Sequence, residues 1–141
     1  MREILFRAKA INRDKGYHRT NYKNGDWVYG LITRLYDERF ENLPAEMTDE
    51  NGVSGIEIDH NTICQYTGLT DKNGCKIWEG DIVKCNYNNY GEKGAYVGKV
   101  IFREDNCIFV VTNGKSTDYE WWNEEKEVIG NIFDNADLLV E

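Results

Sequence analysis

The sequence predicts a mainly β fold in which N-terminal antiparallel strands pack on a C-terminal, SH3-like small β-barrel, with one or two short helical turns. Three observations lead there. The chain holds a single proline and 13% aromatic residues, and its aliphatic residues lean towards Ile and Val, side chains that suit a pleated, half-buried surface. Polar, glycine-centred turn signals recur, above all Asp71-Lys72-Asn73-Gly74 and Glu79-Gly80-Asp81. From Ile82 onward about five short strand patterns follow one another through tight turns, and such a meander closes most readily into a barrel that leaves no exposed edge.

In chain order, Glu3 to Ile11 alternates as a half-buried strand, with Ile4, Phe6, Ala8 and Ala10 on one face and Leu5, Arg7, Lys9 and Ile11 on the other. Residues 12–25 are polar and basic, with turn signals at Gly16 and Asn24-Gly25. Trp27 to Leu35 is a long strand, and Gly30 inside it signals a bulge or a close backbone approach. Residues 36–55 read as an exposed, mobile insert, in which Leu43-Pro44-Ala45-Glu46-Met47 forms one helical turn with Pro44 at its first position. Ile56-Glu57-Ile58 is a short strand. Asp59-His60-Asn61-Thr62 is a capped turn, because the Asp59 carboxylate can accept from the N–H groups that follow.

The stretch from Cys64 to Asn86 is the most constrained and reads as strand, turn, strand, turn, strand. Asn and Gly at 73–74 reach the left-handed backbone region cheaply, and Ile82-Val83-Lys84-Cys85 has the branched character of a strand. Tyr87 to Gly94 reads as a loop and Ala95 to Arg103 as a strand. Cys107 to Thr112 lacks alternation, which predicts burial on both faces. Asn113-Gly114-Lys115 turns the chain into Thr117 to Trp122, and a charged turn over 123–126 leads to the last strand, Glu127 to Phe133. Asp134 to Leu139 closes as a short helical turn, with Leu138 and Leu139 plugging the core. The predicted organisation is an N-terminal β segment over 1–58, carrying the insert at 36–55, and a core barrel region over 59–141, the two forming one structural unit.

Net charge is −8, unevenly spread. Residues 1–36 hold eight basic and three acidic side chains, residues 37–103 seven and twelve, and residues 104–141 two and ten. A basic end and an acidic end follow unless folding interleaves them, and an acidic face suits a basic partner or another copy of the protein. No run approaches the ~18 apolar residues of a membrane span, and Met1-Arg2-Glu3 leads straight into a strand pattern without a signal-peptide core, so the expectation is a soluble, cytoplasmic protein.

The residues that usually carry chemistry are sparse. Cys64, Cys75, Cys85 and Cys107 form no C-x-x-C pair, and the two histidines, His18 and His60, lie in different segments. Reduced cysteines packed as small hydrophobes are expected, with Cys64 and Cys75 facing each other across the first hairpin without a disulfide. Glu79 and Asp81 stand one residue apart in a turn, where backbone hydrogen bonding is the ordinary task of an Asp. Neither phosphate-cradling glycine motif occurs. No catalytic residue, metal or cofactor is predicted.

Two surface candidates remain. Tyr119, Trp121 and Trp122 stand beside Glu124, and Tyr87 and Tyr90 follow the third central strand. Adjacent strand residues point to opposite faces, so one of Trp121 and Trp122 lies outside the core, and an exposed Trp suits an interface for an extended peptide. The alternative is contact with nucleic acid through the basic N-terminal segment. It would use Arg13, Lys15, Arg19 and Lys23, joined by Arg7 and Lys9, with Tyr17 and Tyr22 between them. The net charge of the whole protein opposes it.

Gln65-Tyr66-Thr67-Gly68-Leu69, Asp71-Lys72-Asn73-Gly74 and Trp78-Glu79-Gly80-Asp81-Ile82-Val83-Lys84 closely resemble the YopX family of phage and prophage proteins. Arg2-Glu3-Ile4-Leu5-Phe6-Arg7 and Gly25-Asp26-Trp27-Val28-Tyr29-Gly30 look like the family's opening. Val128-Ile129-Gly130-Asn131 followed by Asp134-Asn135-Ala136-Asp137-Leu138-Leu139 looks like its ending. The resemblance covers 1–9, 25–34, 59–84 and 127–139, and departs most over 36–55 and 87–95. The Glu79-Gly80-Asp81-Ile82-Val83 start also looks like other SH3-like barrels. The resemblance implies a phage or integrated prophage origin and action in a bacterial cytoplasm, and it brings no catalytic residues. The function expected is a non-enzymatic interaction module for a phage or host protein, compatible with a homo-oligomer; the alternative is a nucleic-acid-associated accessory protein.

Overall fold

The computed structural model describes residues 3–12, 21–35, 44–89, 91–114, 118–119 and 125–139, with side chains for all of these except 87–89 and 118–119. It divides into two compact units, Met1–Gln65 and Tyr66–Glu141.

In the first unit, β1 (Phe6–Lys9), β2 (Trp27–Arg34), β3 (Ala45–Asp49), β4 (Ile56–Ile58) and the start of β5 (Cys64–Thr70) form an antiparallel sheet of order β4-β3-β2-β1-β5. The sheet curls until β4 meets the residues that continue β1. Ala10 bridges Ile58, the Ile11 N–H donates to the Glu57 carbonyl at 2.9 Å, and the Asp59 N–H donates to the Lys9 carbonyl at 2.9 Å. Inside the curl lie Ala8, Ala10, Val28, Ala45, Met47, Ile56 and Ile58. The register sets small against large, Ala8 opposite Val28 and Ala45 opposite Ile58, which fills a tight curl without overpacking it. Each of the larger side chains contributes about 1.5–3 kcal/mol through burial. The capped turn appears as expected: Asp59 accepts from the Asn61 N–H at 3.0 Å at the head of a 3₁₀ turn, His60–Thr62.

One expectation here is overturned. Ala45–Asp49 is a strand, not a helical turn, and Ala45 and Met47 are core residues rather than part of an exposed, mobile insert. Alternation, with Ala45 and Met47 inward and Glu46 and Thr48 less buried, outweighs the helix-start signal of Pro44. Residues 36–43 lie outside the described residues. Gly30 explains how β3 docks. A Cβ at that position would stand 2.0 Å from the Thr48 carbonyl oxygen, so the close backbone approach read from the sequence is real.

In the second unit, the rest of β5 pairs with β6 (Lys76–Trp78) across the Asp71–Gly74 turn. The facing Tyr66 and Trp78 rings lie 5.5 Å apart and tilted. β7 (Asp81–Asn89), β8 (Glu92–Arg103), β9 (Ile108–Thr112), β10 (Asp118–Tyr119) and β11 (Glu125–Asn131) form an antiparallel sheet of order β10-β9-β8-β7-β11. Its core is Ile77, Val83, Cys85, Val100 and Val111. Val110 and Val111 are both buried, as the unbroken apolar run of β9 predicts. The mainly β fold holds. Among the described residues no ladder joins β10 to β11, so the architecture is two antiparallel sheets rather than a closed barrel.

Three further expectations change. Tyr87 to Gly94 is not a loop: the β7–β8 ladder runs without a break from Ile82 opposite Lys99 to Asn89 opposite Glu92. Backbone pairing continues there despite a composition of Asn, Tyr and Gly that reads as loop. Leu138 and Leu139 do not plug the core; the closing 3₁₀ turn, Ala136–Leu139, has no buried residue, and Leu138 is 41% exposed. All four cysteines are free, but only Cys64 and Cys85 are buried, and Cys64 sits opposite Arg7 rather than Cys75.

Gly30→Ala is expected to lower stability by about 3 kcal/mol, because backbone rather than a yielding side chain blocks the new methyl group. Urea unfolding checks this, and a loss below about 1 kcal/mol would show that β2 and β3 can part without cost.

Candidate functional site

A strand's free edge is its most reactive backbone surface, since unpaired N–H and C=O groups accept another extended chain. β8 extends past its outer neighbour strand. β9 pairs with it only over Lys99–Arg103, and β10 pairs with β9, so from Glu92 to Gly98 the outer side of β8 carries no strand among the described residues. Where β9 stops, a cleft of about 370 Å³ opens, walled by Val97, Lys99, Thr112, Asn113, Leu138 and Leu139. The leucines expected in the core thus line a groove at the end of the β9 ladder. A second cleft, also about 370 Å³, lies among Leu69, Thr70, Asp71, Ile77 and Lys126.

In the first unit, a mixed cationic and aromatic cluster was missed, in which Arg7 is buried and Lys9 and Trp27 are half-buried. Lys9 stands opposite Trp27, and Arg7 opposite Tyr29. The Arg7 guanidinium carbon lies 4.6 Å, and the Lys9 ammonium 5.3 Å, from the Trp27 ring centroid, within cation–π range. Tyr29 and Leu31 continue this row along β2, both exposed. The signal was present in the sequence as two alternating strands, Arg7/Lys9 and Trp27/Tyr29/Leu31, but their register was not.

Of the predicted site residues, Tyr90, Trp121, Trp122, Glu124, Arg13, Lys15 and Arg19 lie outside the described residues. Tyr87 and Tyr119 fall on β7 and β10, their side chains outside the description. Lys23 is exposed, and its backbone N–H donates to Asp26 Oδ2 at 2.9 Å. Asp81 has the structural task read for it: it is 1% exposed and accepts from the Trp78 N–H at 2.8 Å. Among the described residues no three His, Cys, Asp or Glu side chains converge to hold a metal ion. Folding also interleaves the charges. β3 and β4 bring Glu46, Asp49 and Glu57 into the sheet that holds the basic strands, and Arg34 pairs with Glu46 at 3.7 Å. The first unit has nine basic and eleven acidic side chains, the second eight and fourteen, so neither is a basic lobe.

The strongest electrostatics are structural. Asp71 Oδ1 accepts from the Asn73 and Cys75 N–H groups at 2.9 Å each, while the Gly74 N–H bonds the Asp71 carbonyl at 3.0 Å. Its Oδ2 accepts from the Val128 N–H of β11 at 3.0 Å, and the next N–H, of Lys72, donates to the Lys126 carbonyl at 3.0 Å. The sequence Asp49-Glu50-Asn51-Gly52-Val53 repeats the arrangement. Asp49 Oδ1 accepts from Asn51 and Val53 at 3.0 and 2.9 Å, and Oδ2 accepts from the Tyr22 hydroxyl at 2.8 Å. Both loops read D-x-N-G, with the glycine at φ +84° in one and +80° in the other. Desolvation pushes both carboxyls up, but the donated hydrogen bonds outweigh it, and both titrate below the usual range. Burial first, then the hydrogen bond and charge of Asp49, pushes Tyr22 up to about 12.

A depressed carboxyl contributes stability above its unfolded pKa of ~3.9, and that contribution is lost as pH falls through the folded value. Asp71→Ala is therefore expected to lose about 3 kcal/mol at neutral pH, the gap to the parent closing in acid; a gap that stays constant from neutral to acid pH would sink the assignment. At the other end, the Tyr22 contribution is present below the unfolded value of 10.0 and lost as pH rises through about 12. Tyr22→Phe should flatten that alkaline fall in a thermal-melt series.

No helix among the described residues is long and apolar enough to cross a membrane. A search of curated proteins found no match. The family model described as YopX protein matches residues 6–140 and so takes in β1 to β11 together, both D-x-N-G loops and the Trp78–Asp81 turn. The chain belongs to the YopX family.

Proposed function

We propose that this protein is a non-enzymatic protein-interaction module of a phage or prophage, acting in the bacterial cytoplasm, which binds an extended segment of a phage or host protein along β8. The carrying observation is the stretch of β8 that runs past the end of the β9 ladder, with no strand on its outer side among the described residues, beside the cleft of Val97, Leu138 and Leu139. An added strand takes affinity from main-chain hydrogen bonds and specificity from alternate side chains that enter pockets, so edge and cleft together suit one ligand. A two-stranded ribbon is also marginal by itself, and a third strand steadies it. Tyr87 and Tyr90 belong by sequence to the same hairpin. The strand order β11-β7-β8-β9-β10, with the fifth strand returning beside the first, is the order of a small SH3-like barrel left open on one side. It supports that description for the second unit.

A second reading rests on the first unit. Trp27 and the exposed Tyr29 stand beside Lys9, with the buried Arg7 packed on the Trp27 ring, aromatic and cationic chemistry that suits bases and phosphates, and the basic residues Arg13, Lys15 and Arg19 follow β1 in sequence. An accessory role on nucleic acid would use both.

Affinity capture from bacterial lysate, with and without nuclease and at two salt concentrations, separates the readings. The variant to include replaces residues 87–94 by Asn-Gly, joining Asn86 to its ladder partner Ala95. The expected result is a stoichiometric protein partner that survives nuclease and is lost on shortening the hairpin, with the melting temperature unchanged. Capture of the same partner by the shortened variant would refute strand addition. Recovery that disappears with nuclease, weakens with salt and falls when Arg13, Lys15 and Arg19 are neutralised would favour the nucleic-acid reading.

A further inference from the structure

Lys99 and Thr112 stand directly opposite each other where the β8–β9 ladder ends, and Lys99 has Ile82 of β7 on its other side. Directly opposed residues of an antiparallel ladder share one face of the sheet. The Lys99 side chain therefore stands between a fully buried isoleucine and a threonine only 9% exposed. Gly98 seats the end of β9: a Cβ there would stand 2.7 Å from the Thr112 carbonyl oxygen, so the two strands meet more closely than a side chain allows. The closing 3₁₀ turn packs against β8, and its Leu138 and Leu139 complete the cleft with Val97. Its volume, about 370 Å³, falls within the range of ~300–1,000 Å³ usual for ligand pockets.

The second unit holds fourteen acidic side chains and eight basic ones, yet the charged residue in the wall of this cleft is a lysine and no acid lines it. The Lys99 ammonium makes no ion pair or hydrogen bond among the described residues. Asp137 belongs to the same 3₁₀ turn as the leucines, but it is exposed and outside the wall. Lys84, opposite Val97, adds a second cation to that face, and the acid opposite Lys84, Glu127, pairs with Lys72 at 3.7 Å. Thr112 supplies a neutral donor. Its Oγ1 accepts from the Gly114 N–H at 3.3 Å, which leaves the hydroxyl proton without an acceptor among the described residues. A buried donor in that state is costly until an acceptor arrives. One cation, one hydroxyl donor and three aliphatic side chains together suit a carboxylate carried on an aliphatic residue.

We propose that this cleft receives the C-terminal residue of the polypeptide that lies along β8. Its free α-carboxylate meets Lys99 and the Thr112 hydroxyl, and its aliphatic side chain sits among Val97, Leu138 and Leu139. The inference rests on the strand-addition reading and names which end of the partner is bound. The position of β9 calls for an end. It takes the outer side of β8 from Lys99 onward, so a chain laid along Glu92 to Gly98 meets Thr112 and has to stop or turn away. Charge then sets the direction. A chain end arriving antiparallel to β8 brings an ammonium to Lys99, whereas one arriving parallel brings a carboxylate. Parallel pairing is slightly weaker per residue, which gives the terminal contact more weight.

Amide chemical shifts of the intact, isotope-labelled protein test this. The probe is an N-acetylated hexapeptide of alternating threonine and valine that ends in leucine. It is titrated as the free acid and as the C-terminal amide, with isocaproate alongside as a small aliphatic acid. The acid peptide should shift Val97, Lys99, Thr112 and Leu138 and bind at least about ten-fold more tightly than the amide, the least that a charge-assisted hydrogen bond supports. Lys99→Met should remove that difference and leave the affinity of the amide peptide unchanged, and Thr112→Val should reduce it. Equal binding of acid and amide to the parent protein would overturn the proposal without recourse to a variant, as would shifts confined to another face. So would isocaproate binding as tightly as the acid peptide, since the cleft would then select free acids. Replacing residues 87–94 by Asn-Gly separates this inference from the reading beneath it. If shortening weakens both peptides while acid and amide stay equal, strand addition stands and the carboxylate assignment alone fails. If the acid is preferred and shortening weakens neither peptide, strand addition fails, and with it the claim that the cleft selects a chain end.

Discussion

The second unit depends on one carboxylate. Asp71 closes its own hairpin with one oxygen and reaches β11 with the other, and the Lys72 N–H follows it onto the same strand. The pair covers the outer side of β11 at Lys126 and Val128, where an edge strand would otherwise present bare backbone. Hydrogen bonds to a charged acceptor are worth more than neutral ones, and here three converge on a residue only 8% exposed. The charge is tolerated because every one of those donors points at it.

Edges are handled differently elsewhere in the molecule, and the contrast gives the fold its functional asymmetry. In the first unit the sheet curls so that β4 meets the continuation of β1, an arrangement that the Gly30 approach and the alanine-rich core make possible. In the second, β11 is covered by a turn. The outer side of β8 before Lys99 carries no strand among the described residues; the 3₁₀ turn Ala136–Leu139 packs against β8, and its leucines share a cleft with Val97, Lys99 and Thr112. A protein that covers one edge by curling and another with a carboxylate leaves this one distinct.

The parts of this architecture that were legible in the sequence are those with a local cause. The turns at Asp71–Gly74 and Glu79–Asp81, the Asp59 cap and the close approach at Gly30 each follow from the chemistry of one or two residues. β3 was missed because Pro44 supplied a strong local signal for helix, whereas the pull of Ala45 and Met47 into the core comes from strands distant in sequence. The ribbon over 87–94 was missed because its pairing is backbone to backbone and its side chains say loop. Leu138 and Leu139 read as core by hydropathy alone; what places them at a cleft is the early end of β9. The Trp27 face was legible residue by residue but not as a cluster, since cross-strand register is not written in either strand.

The two oxygens of Asp71 also differ in time. Bonds to Asn73 and Cys75 close over a few residues, within the microsecond range in which hairpins form. The bond to Val128 spans 57 residues and must wait until β7 to β11 have been laid down. Until then the hairpin is already shaped to receive β11. One carboxylate thus joins a contact set by neighbouring residues to one set by the whole second unit, and the turn that holds its first oxygen fixes the direction in which the second meets β11.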